Sequence, residues 1–368
     1  MKICHITSGH PLDDVRIYHK QCLSLKRAGY EVQLLGLIQG RNQEPKIPYI
    51  LVGNEKVNLF KRFLYYPFKL YKKALELHSD IYHLHDPELM ITALLLKMRG
   101  KKVVFDFHED VPKQIYSKAY LRNWHKSVLA KLFKLLENYL VKRVDGIISA
   151  TPQIQARFQS LAHKAVIVHN FPILEEFEEK KIIRDTKKCY VVYHGVIEKK
   201  RGIKSLMDSL DYTDIRLKLA GYIASEKLMR ELKKHRNWGQ VDFVGYLDRN
   251  EIKVLLNEAI AGVVTLLPTK NYQESLPVKM FEYMAAGLPV IASDFPYWKD
   301  IILKNECGIC VDPENPKEIA DAFSFILENP NLAKQMGMNG KKAVIDKYNW
   351  EIEANKLIRI YNSIIIDE

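Results

Sequence analysis

The sequence contains few cysteines. There are five in 368 residues, an odd number scattered along the chain: Cys4, Cys22, Cys189, Cys307 and Cys310. Cys307 and Cys310 have the spacing of half a zinc site, but no second pair or nearby histidine completes it. We therefore expect structural thiols in a reducing compartment.

Long apolar runs are also missing. No stretch of about 18 apolar residues occurs, so we expect no helix that spans a bilayer. The first residues, MKICHITS, are typical of a strand and lack the long apolar core of a signal peptide. These absences predict a cytoplasmic protein, with peripheral contact to the inner face of the cell membrane left open.

Two ligand-binding motifs are absent as well. The first strand–helix–strand unit has no Gly-x-Gly-x-x-Gly, so a dinucleotide cofactor is not indicated. No Asp-x-Asp occurs anywhere, so the sequence offers no evident metal site. We therefore expect neither a cofactor nor a metal.

The charge is strongly unbalanced. Fifty-six basic residues against 44 acidic ones give a formal net charge of +12, which favours phosphates, nucleic acid or lipid headgroups as partners. A chain of this length suits two domains of similar size. We place the boundary near a polar linker, with an N-terminal domain at 1–172 plus a C-terminal helix at 350–368, and a second domain at 173–349.

The stretch from Asn271 to Asp294 organises the second domain. It is typical of a loop, a helix that opens at Pro277 and ends before Gly287, and a buried strand. Unpaired N–H groups of Ser275 and Leu276 at the helix N-terminus would attract phosphate. Within the helix, Lys279 and Glu282 share a face. The lysine suits a phosphate, whereas the carboxylates of Glu274 and Glu282 suit sugar hydroxyls.

Other candidates follow predicted strands. Open α/β sheets bind ligands at the carboxyl ends of their strands. In the first domain these positions hold His10, Asp13, Arg16, His108 and Glu109, with helix capping and surface charge as an equal alternative for the first three. In the second domain, Lys200 and Arg201 precede a helix at Gly202, and Gly221-Tyr222 and Gly245-Tyr246 end two strands.

Two basic segments could lie on an anionic membrane. Residues 56–73 interleave lysine and arginine with aromatic residues, although Pro67 interrupts any single long helix. Residues 121–143 predict a long helix whose apolar face holds Val128, Leu132, Leu135, Leu136 and Tyr139, with basic residues elsewhere. Ordinary domain helices that bury these apolar residues are the alternative in both cases.

The segment ESLPVKMFEYMAAGLPVIASD resembles the donor-binding helix of retaining glycosyltransferases of family 4, in which Glu274 and Glu282 match the Glu-x7-Glu signature. The resemblance covers nearly the whole chain. It implies an α/β GT-B fold, with two Rossmann-like domains facing a cleft and the last helix returning to the first domain.

The resemblance also implies roles for individual residues. His108 would face the donor diphosphate, and Arg201 would hold it together with Lys279 and the loop at His194 and Gly195. Pro277 would open the donor helix, and the loop at Gly245 and Tyr246 would pack on the base. Val196 stands where the family often has an arginine, so one phosphate contact is missing. Catalysis would fall to His108, Arg201, Lys279 and Glu274.

The expected function is therefore transfer of a sugar from a nucleoside diphosphate sugar, UDP- rather than GDP-linked, to a saccharide hydroxyl. The acceptor would be lipid-linked, as in capsule, O-antigen or lipopolysaccharide synthesis, and nucleic acid is not expected as a partner. A front-face, metal-independent reaction would retain the anomeric configuration. Two alternatives are a nucleotide-sugar 2-epimerase of the same architecture and a non-catalytic basic binding protein.

Overall fold

The computed structural model describes residues 1–40, 45–53, 59–116, 123–177 and 190–366. It divides the chain into two compact units, one of Met1–Asn170 with Trp350–Glu368 and the other of Phe171–Asn349. The division falls two residues before the expected one. Phe171 already belongs to the second unit, because its ring packs against Phe281 and Tyr348.

The first unit is a parallel sheet of seven strands covered by helices. The strands are β1 (Lys2–Pro11), β2 (Glu31–Ile38), β3 (Tyr49–Leu51), β4 (Ile81–Leu84), β5 (Lys102–Phe107), β6 (Gly146–Ser149) and β7 (Ala165–Ile167). Their order in the sheet is β3-β2-β1-β4-β5-β6-β7. The helices are α1 (Leu23–Arg27), α2 (Leu59–Leu64), α3 (Tyr66–Glu76), α4 (Met90–Met98), α5 (Val111–Tyr116), α6 (Asn123–Val141) and α7 (Pro152–Ala156).

Local signals account for several of these elements. The Asp14 side chain caps the helical segment Val15–Cys22, which continues into α1, by accepting from the N–H groups of Arg16 and Ile17. Pro67 lies in the first turn of α3, so the predicted interruption after α2 is confirmed. Residues 56–58 of that basic segment lie outside the described residues.

Helix α6 leaves most of the predicted apolar face exposed, and of its five residues only Leu136 packs, partly buried, against the core. Val128, Leu132, Leu135 and Tyr139 are each at least half exposed. The helix instead turns Ala130, Leu140 and the Glu137 side chain to the interior. Since the spacing of both faces is helical, periodicity alone could not tell which one packs on the sheet.

The second unit is a parallel sheet of six strands. They are β8 (Tyr190–His194), β9 (Arg216–Ala220), β10 (Val241–Gly245), β11 (Ala261–Val264), β12 (Val290–Ser293) and β13 (Gly308–Val311), in the order β10-β9-β8-β11-β12-β13. The helices are α8 (Ile203–Asp208), α9 (Glu226–Lys233), α10 (Arg249–Glu258), α11 (Lys270–Glu274), α12 (Val278–Ala285), α13 (Pro296–Lys304), α14 (Pro316–Glu328) and α15 (Pro330–Asp346).

Both faces of this second sheet are buried. Consecutive residues of one strand, Val191 and Val192, belong to different apolar clusters on opposite sides of the sheet. This explains why its strands are continuous apolar runs instead of alternating patterns.

The last helix, α16 (Trp350–Ile366), packs on the first unit. The indole N–H of Trp350 donates to Ser24 Oγ at 2.8 Å, and the hydroxyl oxygen of Tyr361 lies 2.8 Å from His83 Nδ1. The expected return of the C-terminal helix to the N-terminal domain is therefore confirmed. None of the helices in the described ranges combines the length and the apolar character needed to cross a membrane.

The order of strands fixes where ligands can bind. In each sheet the order reverses between two central strands, β1 and β4 in the first unit, β8 and β11 in the second. Ligands of open α/β sheets bind at such switch points, beyond the carboxyl ends of the strands. In the second unit, His194 and Gly195 lie at this point, and α12 begins beside it.

Candidate functional site

Lys279 is the central cation of the site in the second unit. It lies in the first turn of α12 and is only 6% exposed. Its Nζ lies 3.6 Å above the ring centre of Tyr193, and the described part of the chain offers it no hydrogen-bond acceptor. Burial, and then the nearby Arg201 charge, hold the pKa of Lys279 well below its usual value. The site thus keeps a buried lysine amino group whose protonated form an anion would stabilise.

Gly195 makes room for this lysine. It has a φ of +116°, and a Cβ at this position would lie 3.1 Å from Lys279 Nζ. Gly202 is equally constrained, because a Cβ there would clash with the carbonyl of Thr265. These two glycines let the loop after β8 approach α12 and the end of β11 closely.

Glu282 lies one turn beyond Lys279 and is held from two sides. Arg249 donates to its Oε1 at 3.4 Å, and His194 Nε2 lies 3.5 Å from its Oε2. The same guanidinium forms a two-point ion pair with Glu176. Burial lowers the pKa of His194 to about 4, so that ring is neutral at pH 7. The Glu282 carboxylate is therefore fixed in place by Arg249 and His194.

Arg201 occupies a helical turn, Lys199–Arg201, directly before Gly202. Its Nε donates to Glu198 Oε1 at 3.2 Å, and the Tyr272 hydroxyl donates to the same oxygen at 2.7 Å. Burial and the Glu198 bond raise the pKa of Tyr272 to about 12. Tyr272 thereby ties α11 to the turn that carries Arg201.

Backbone bonds join the strand ends that the sequence singled out. The N–H of Gly195 donates to Ala220 O at 3.0 Å, and that of Gly221 donates to Gly245 O at 2.6 Å. The side chains of Tyr222 and Tyr246, which follow these ends, are 65% and 60% exposed. Lys200 is exposed beside Arg201. The structure thus gathers the predicted loops at one edge of the sheet.

The loop before α12 differs in detail from the prediction. The expected loop contains a short helix, α11, that ends at Glu274, and Pro277 precedes α12 as its N-cap instead of opening it. The Ser275 N–H donates to Tyr272 O at 3.3 Å and is not unpaired as expected. Trp298 donates its indole N–H to Ser275 O at 2.6 Å, which anchors this loop beside Leu276. Gly287 ends the helix with a φ of +66°, as predicted.

In the first unit, His10 and His108 meet at the carboxyl edge of the sheet. Their ring centres are 5.0 Å apart, edge to face. His10 Nδ1 forms an ion pair with Asp86 Oδ1 at 2.9 Å. Glu109 follows His108 and is exposed, as expected. Two predicted residues thus gather around a carboxylate that the sequence did not single out.

Arg16 is not a site residue. It is 6% exposed and makes a two-point ion pair with Asp106, at 2.9 Å for both contacts, and donates to Val168 O. The prediction of a ligand-facing role is therefore wrong, since the guanidinium is consumed inside the unit. Asp13 lies beside Asp14 in the loop after β1, and the cap is supplied by Asp14.

Groups that could chelate a metal occur only in the first unit, as far as the described residues go. They are His5, His83 and His85, all fully buried, and His10, Asp86 and His108. Cys307 and Cys310 are free thiols whose pKa values burial raises, to about 12 and about 11. Cys189 lies outside the described residues.

Two family models match the chain. The family description "Glycosyltransferase Family 4" matches residues 16–175, and "Glycosyl transferases group 1" matches residues 175–343. A phosphatidyl-myo-inositol mannosyltransferase of Mycobacterium leprae is 24% identical over 304 residues, which are 77% of this chain and 74% of that protein.

Solved structures share the fold over the full length. Sucrose-phosphate synthase of Thermosynechococcus elongatus superposes with a TM-score of 0.79 at 19% identity, covering all of both chains. Anabaena Alr3699/HepE in complex with UDP and glucose gives 0.77 at 14% identity, covering 99% of this chain and 100% of that one. The chain therefore belongs to the family 4 glycosyltransferases and has the GT-B fold.

Proposed function

We propose that this glycosyltransferase takes its sugar from a nucleoside diphosphate sugar bound at the switch point of the second unit. The observation that carries the proposal is Lys279, whose buried amino group has no hydrogen-bond acceptor among the described residues. A diphosphate would restore its missing counter-charge, with Arg201 as a second cation. Glu282 would accept from the ribose hydroxyls, and Glu274 from the donor sugar.

We favour UDP as the nucleotide of the sugar donor. A structural neighbour, Anabaena HepE, has been crystallised with UDP and glucose. Exposed Tyr222 and Tyr246, at the ends of neighbouring strands, are suited to packing on a flat base.

A thermal-shift screen of UDP-, GDP- and ADP-sugars tests the donor. A ligand at 100 times its Kd stabilises a protein by about 2.7 kcal/mol, so we expect a clear rise in Tm with one UDP-sugar. Glu282→Gln keeps the shape but loses the charge and should reduce that rise; Glu258→Gln, at the end of α10, is the control. No shift with any nucleotide sugar would contradict the proposal.

Incubating the donor alone separates a transferase, which hydrolyses it slowly, from an epimerase, which converts it to the epimeric nucleotide sugar.

We further propose a front-face reaction that retains the anomeric configuration. The leaving phosphate would take the acceptor proton, and the cations Arg201 and Lys279 would stabilise the charge that grows on the diphosphate. This account needs no metal. Activity with the donor identified above should therefore survive EDTA, and loss of turnover that magnesium restores would contradict it. NMR of the product anomeric proton reports the stereochemistry.

For the acceptor, we propose a lipid-linked saccharide at an anionic membrane, as in the assembly of a bacterial surface polysaccharide. Support comes from α6, where Val128, Leu132, Leu135 and Tyr139 form one exposed stripe at helical spacing. Lys131 and Lys134 are exposed among them. An apolar stripe flanked by lysines is typical of helices that lie in the headgroup region. The enzyme would then be a cytoplasmic protein that binds the membrane peripherally.

Flotation with vesicles tests this surface. We expect the protein to float with vesicles rich in anionic lipid at low salt, and Leu132→Glu with Leu135→Glu to reduce the floated fraction at least tenfold. Leu303→Glu, at a leucine of α13 that is 54% exposed, is the matched control and should float normally. A membrane role of α6 would be refuted if the Leu132→Glu, Leu135→Glu variant floated as well as the Leu303→Glu control. It would also be refuted if the wild-type protein did not float.

A further inference from the structure

A second cluster of charged side chains lies at the carboxyl edge of the first sheet, apart from the residues assigned to the donor site in the second unit. It lies at the switch point between β1 and β4 and combines His10 and Arg62 with Asp86 and Glu88. Arg62 comes from α2, and its guanidinium lies against Gly9, where any Cβ would clash with it. The cluster is therefore built by three elements of the unit.

The charges of this cluster are arranged by depth. The carboxylates of Asp86 and Glu88 are 1% and 2% exposed, whereas the side chains of His10 and Arg62 are 30% and 26% exposed. A solute arriving from the solvent meets the two cations first. The buried carboxylates favour the charged forms of His10 and Arg62, and they leave the solvent-facing side of the cluster to these two cations.

Asp86 is locked in place. Its Oδ2 accepts from the Thr7 hydroxyl at 2.7 Å and from the N–H groups of Ser8 and Gly9 at 2.6 and 3.1 Å. Its Oδ1 faces His10 Nδ1 at 2.9 Å and lies 3.9 Å from an Arg62 nitrogen. With three donors on one oxygen and an ion pair on the other, Asp86 sets the orientation of the His10 ring.

The charge of His10 agrees with this geometry. Burial lowers its pKa, but the Asp86 contact, with Asp14 and Glu109 nearby, outweighs burial and raises it to about 9. The pKa of Asp86 is held below its usual range by His10, His108 and the Thr7 bond, against the effect of its burial. At neutral pH the pair is imidazolium and carboxylate.

We propose that His10 and Arg62 form a binding site for a phosphate group of a substrate, with Asp86 as the positioning residue. The proposal rests on the proposed function in one respect, that a substrate brings a phosphate to this unit. Since His10 Nδ1 is paired with Asp86, the Nε2–H group would be the charged donor to the phosphate, and guanidinium groups suit phosphate oxygens. A metal shared with His108 is disfavoured, because the Arg62 cation lies within 4 Å of the same carboxylate oxygen.

NMR of the protein labelled with ¹⁵N at histidine tests the site directly. His10, assigned with the His10→Gln variant, should show two protonated ring nitrogens at pH 7.5 and lose the second proton near pH 9. Inorganic phosphate should shift its Nε2 signal, and Arg62→Gln should weaken that binding by about tenfold. The exposed His163 of the same unit is the control and should not respond. A neutral His10 at pH 7.5, or no response to phosphate, would overturn the proposal.

Two further titrations identify the source of the phosphate. UDP brings the donor diphosphate, whereas glycerol 1-phosphate represents a phosphate of a lipid-linked acceptor. If UDP shifts His10 in the wild type but not in Lys279→Met, the phosphate arrives with the donor. If glycerol 1-phosphate shifts it equally in both proteins, the phosphate belongs to the acceptor. The NMR titration with inorganic phosphate measures binding at His10 and does not depend on enzyme turnover. The phosphate site at His10 can therefore be refuted while the proposed donor site is supported, or the reverse.

Discussion

Lys279→Met is expected to stabilise the ligand-free protein and to abolish binding of the nucleotide sugar. The lysine is 6% exposed and lacks a hydrogen-bond acceptor among the described residues, so its charged form is poorly solvated. Methionine has a similar length and no charge to desolvate. Replacing buried charges by apolar residues of similar volume stabilises proteins by up to about 1–4 kcal/mol, less here because the contact with the Tyr193 ring is lost.

The pH dependence gives this prediction a second signature. The folded-state pKa of Lys279 lies below its unfolded value, so between the two the unfolded chain binds more protons. Stability must therefore rise with pH through that window, and the advantage of Lys279→Met must shrink as pH approaches 10. A donor diphosphate would raise the lysine pKa again, so binding by the wild type should be accompanied by proton uptake at any pH between the pKa values of the free and the bound state.

Thermal unfolding at pH 7 and pH 10 measures the first effect, and calorimetry in buffers of different ionisation enthalpy measures the proton uptake. For a domain of this size, Tm rises by about 2–4 °C per kcal/mol. Lys227→Met, at an exposed position of α9, is the control and should change neither Tm nor binding. A variant of Lys279 that is less stable yet still binds the donor would show a structural lysine, and the donor site would have to lie elsewhere.

Helix α12 was predictable because its signals are local. Gly287 and Pro289 end the helix where the sequence predicted, and the strand PVIAS appears as Val290–Ser293. Lys279 and Glu282 share a face because they are three residues apart. Each of these inferences needs only the geometry of one turn or one helix.

The partners of these residues were missed because they are distant in sequence. Arg249 lies 33 positions from Glu282 and 73 from Glu176, and the charges alone did not distinguish it from other arginines. The same limit produced the error at Arg16, whose partner Asp106 is 90 positions away. It also hid Asp86, whose partners Thr7, Ser8 and Gly9 lie 77 to 79 positions earlier. These pairs join helices, loops and strands that become neighbours only when the whole unit folds.

Helix α6 illustrates a different limit. Its sequence has an apolar stripe at helical spacing, which by itself favours burial. The structure buries the other side, where Ala130 and Leu140 pack and Arg157 pairs with Glu137. An acidic residue on the inner face cannot be recognised until its partner is placed. This exposed stripe therefore became evidence for a membrane surface only through the fold.

Arg201→Ala is expected to lower kcat by ~10²-fold or more while changing the KM for the donor much less. As the bond to the sugar breaks, negative charge grows on the leaving diphosphate, and a cation beside it is worth more in the transition state than in the ground state. Arg201 carries this role in our proposal because Val196 occupies the position at which the family often has an arginine. Lys279 is a second cation that the motif and the geometry bring to the same switch point.

The structural role of Arg201 is small enough to separate from this effect. Its bond to Glu198 joins two side chains that are 27% and 34% exposed, and such pairs contribute at most about 1 kcal/mol. Tm should therefore fall by only a few degrees. Arg216→Ala, which breaks an exposed ion pair with Asp242 in the same unit, is the matched control and should keep kcat.

Since Tyr272 donates to the same Glu198 oxygen, Tyr272→Phe should loosen Arg201 without removing its charge and give an intermediate kcat. Wild-type turnover of Arg201→Ala would remove Arg201 from the reaction and leave Lys279 as the cation for the leaving group.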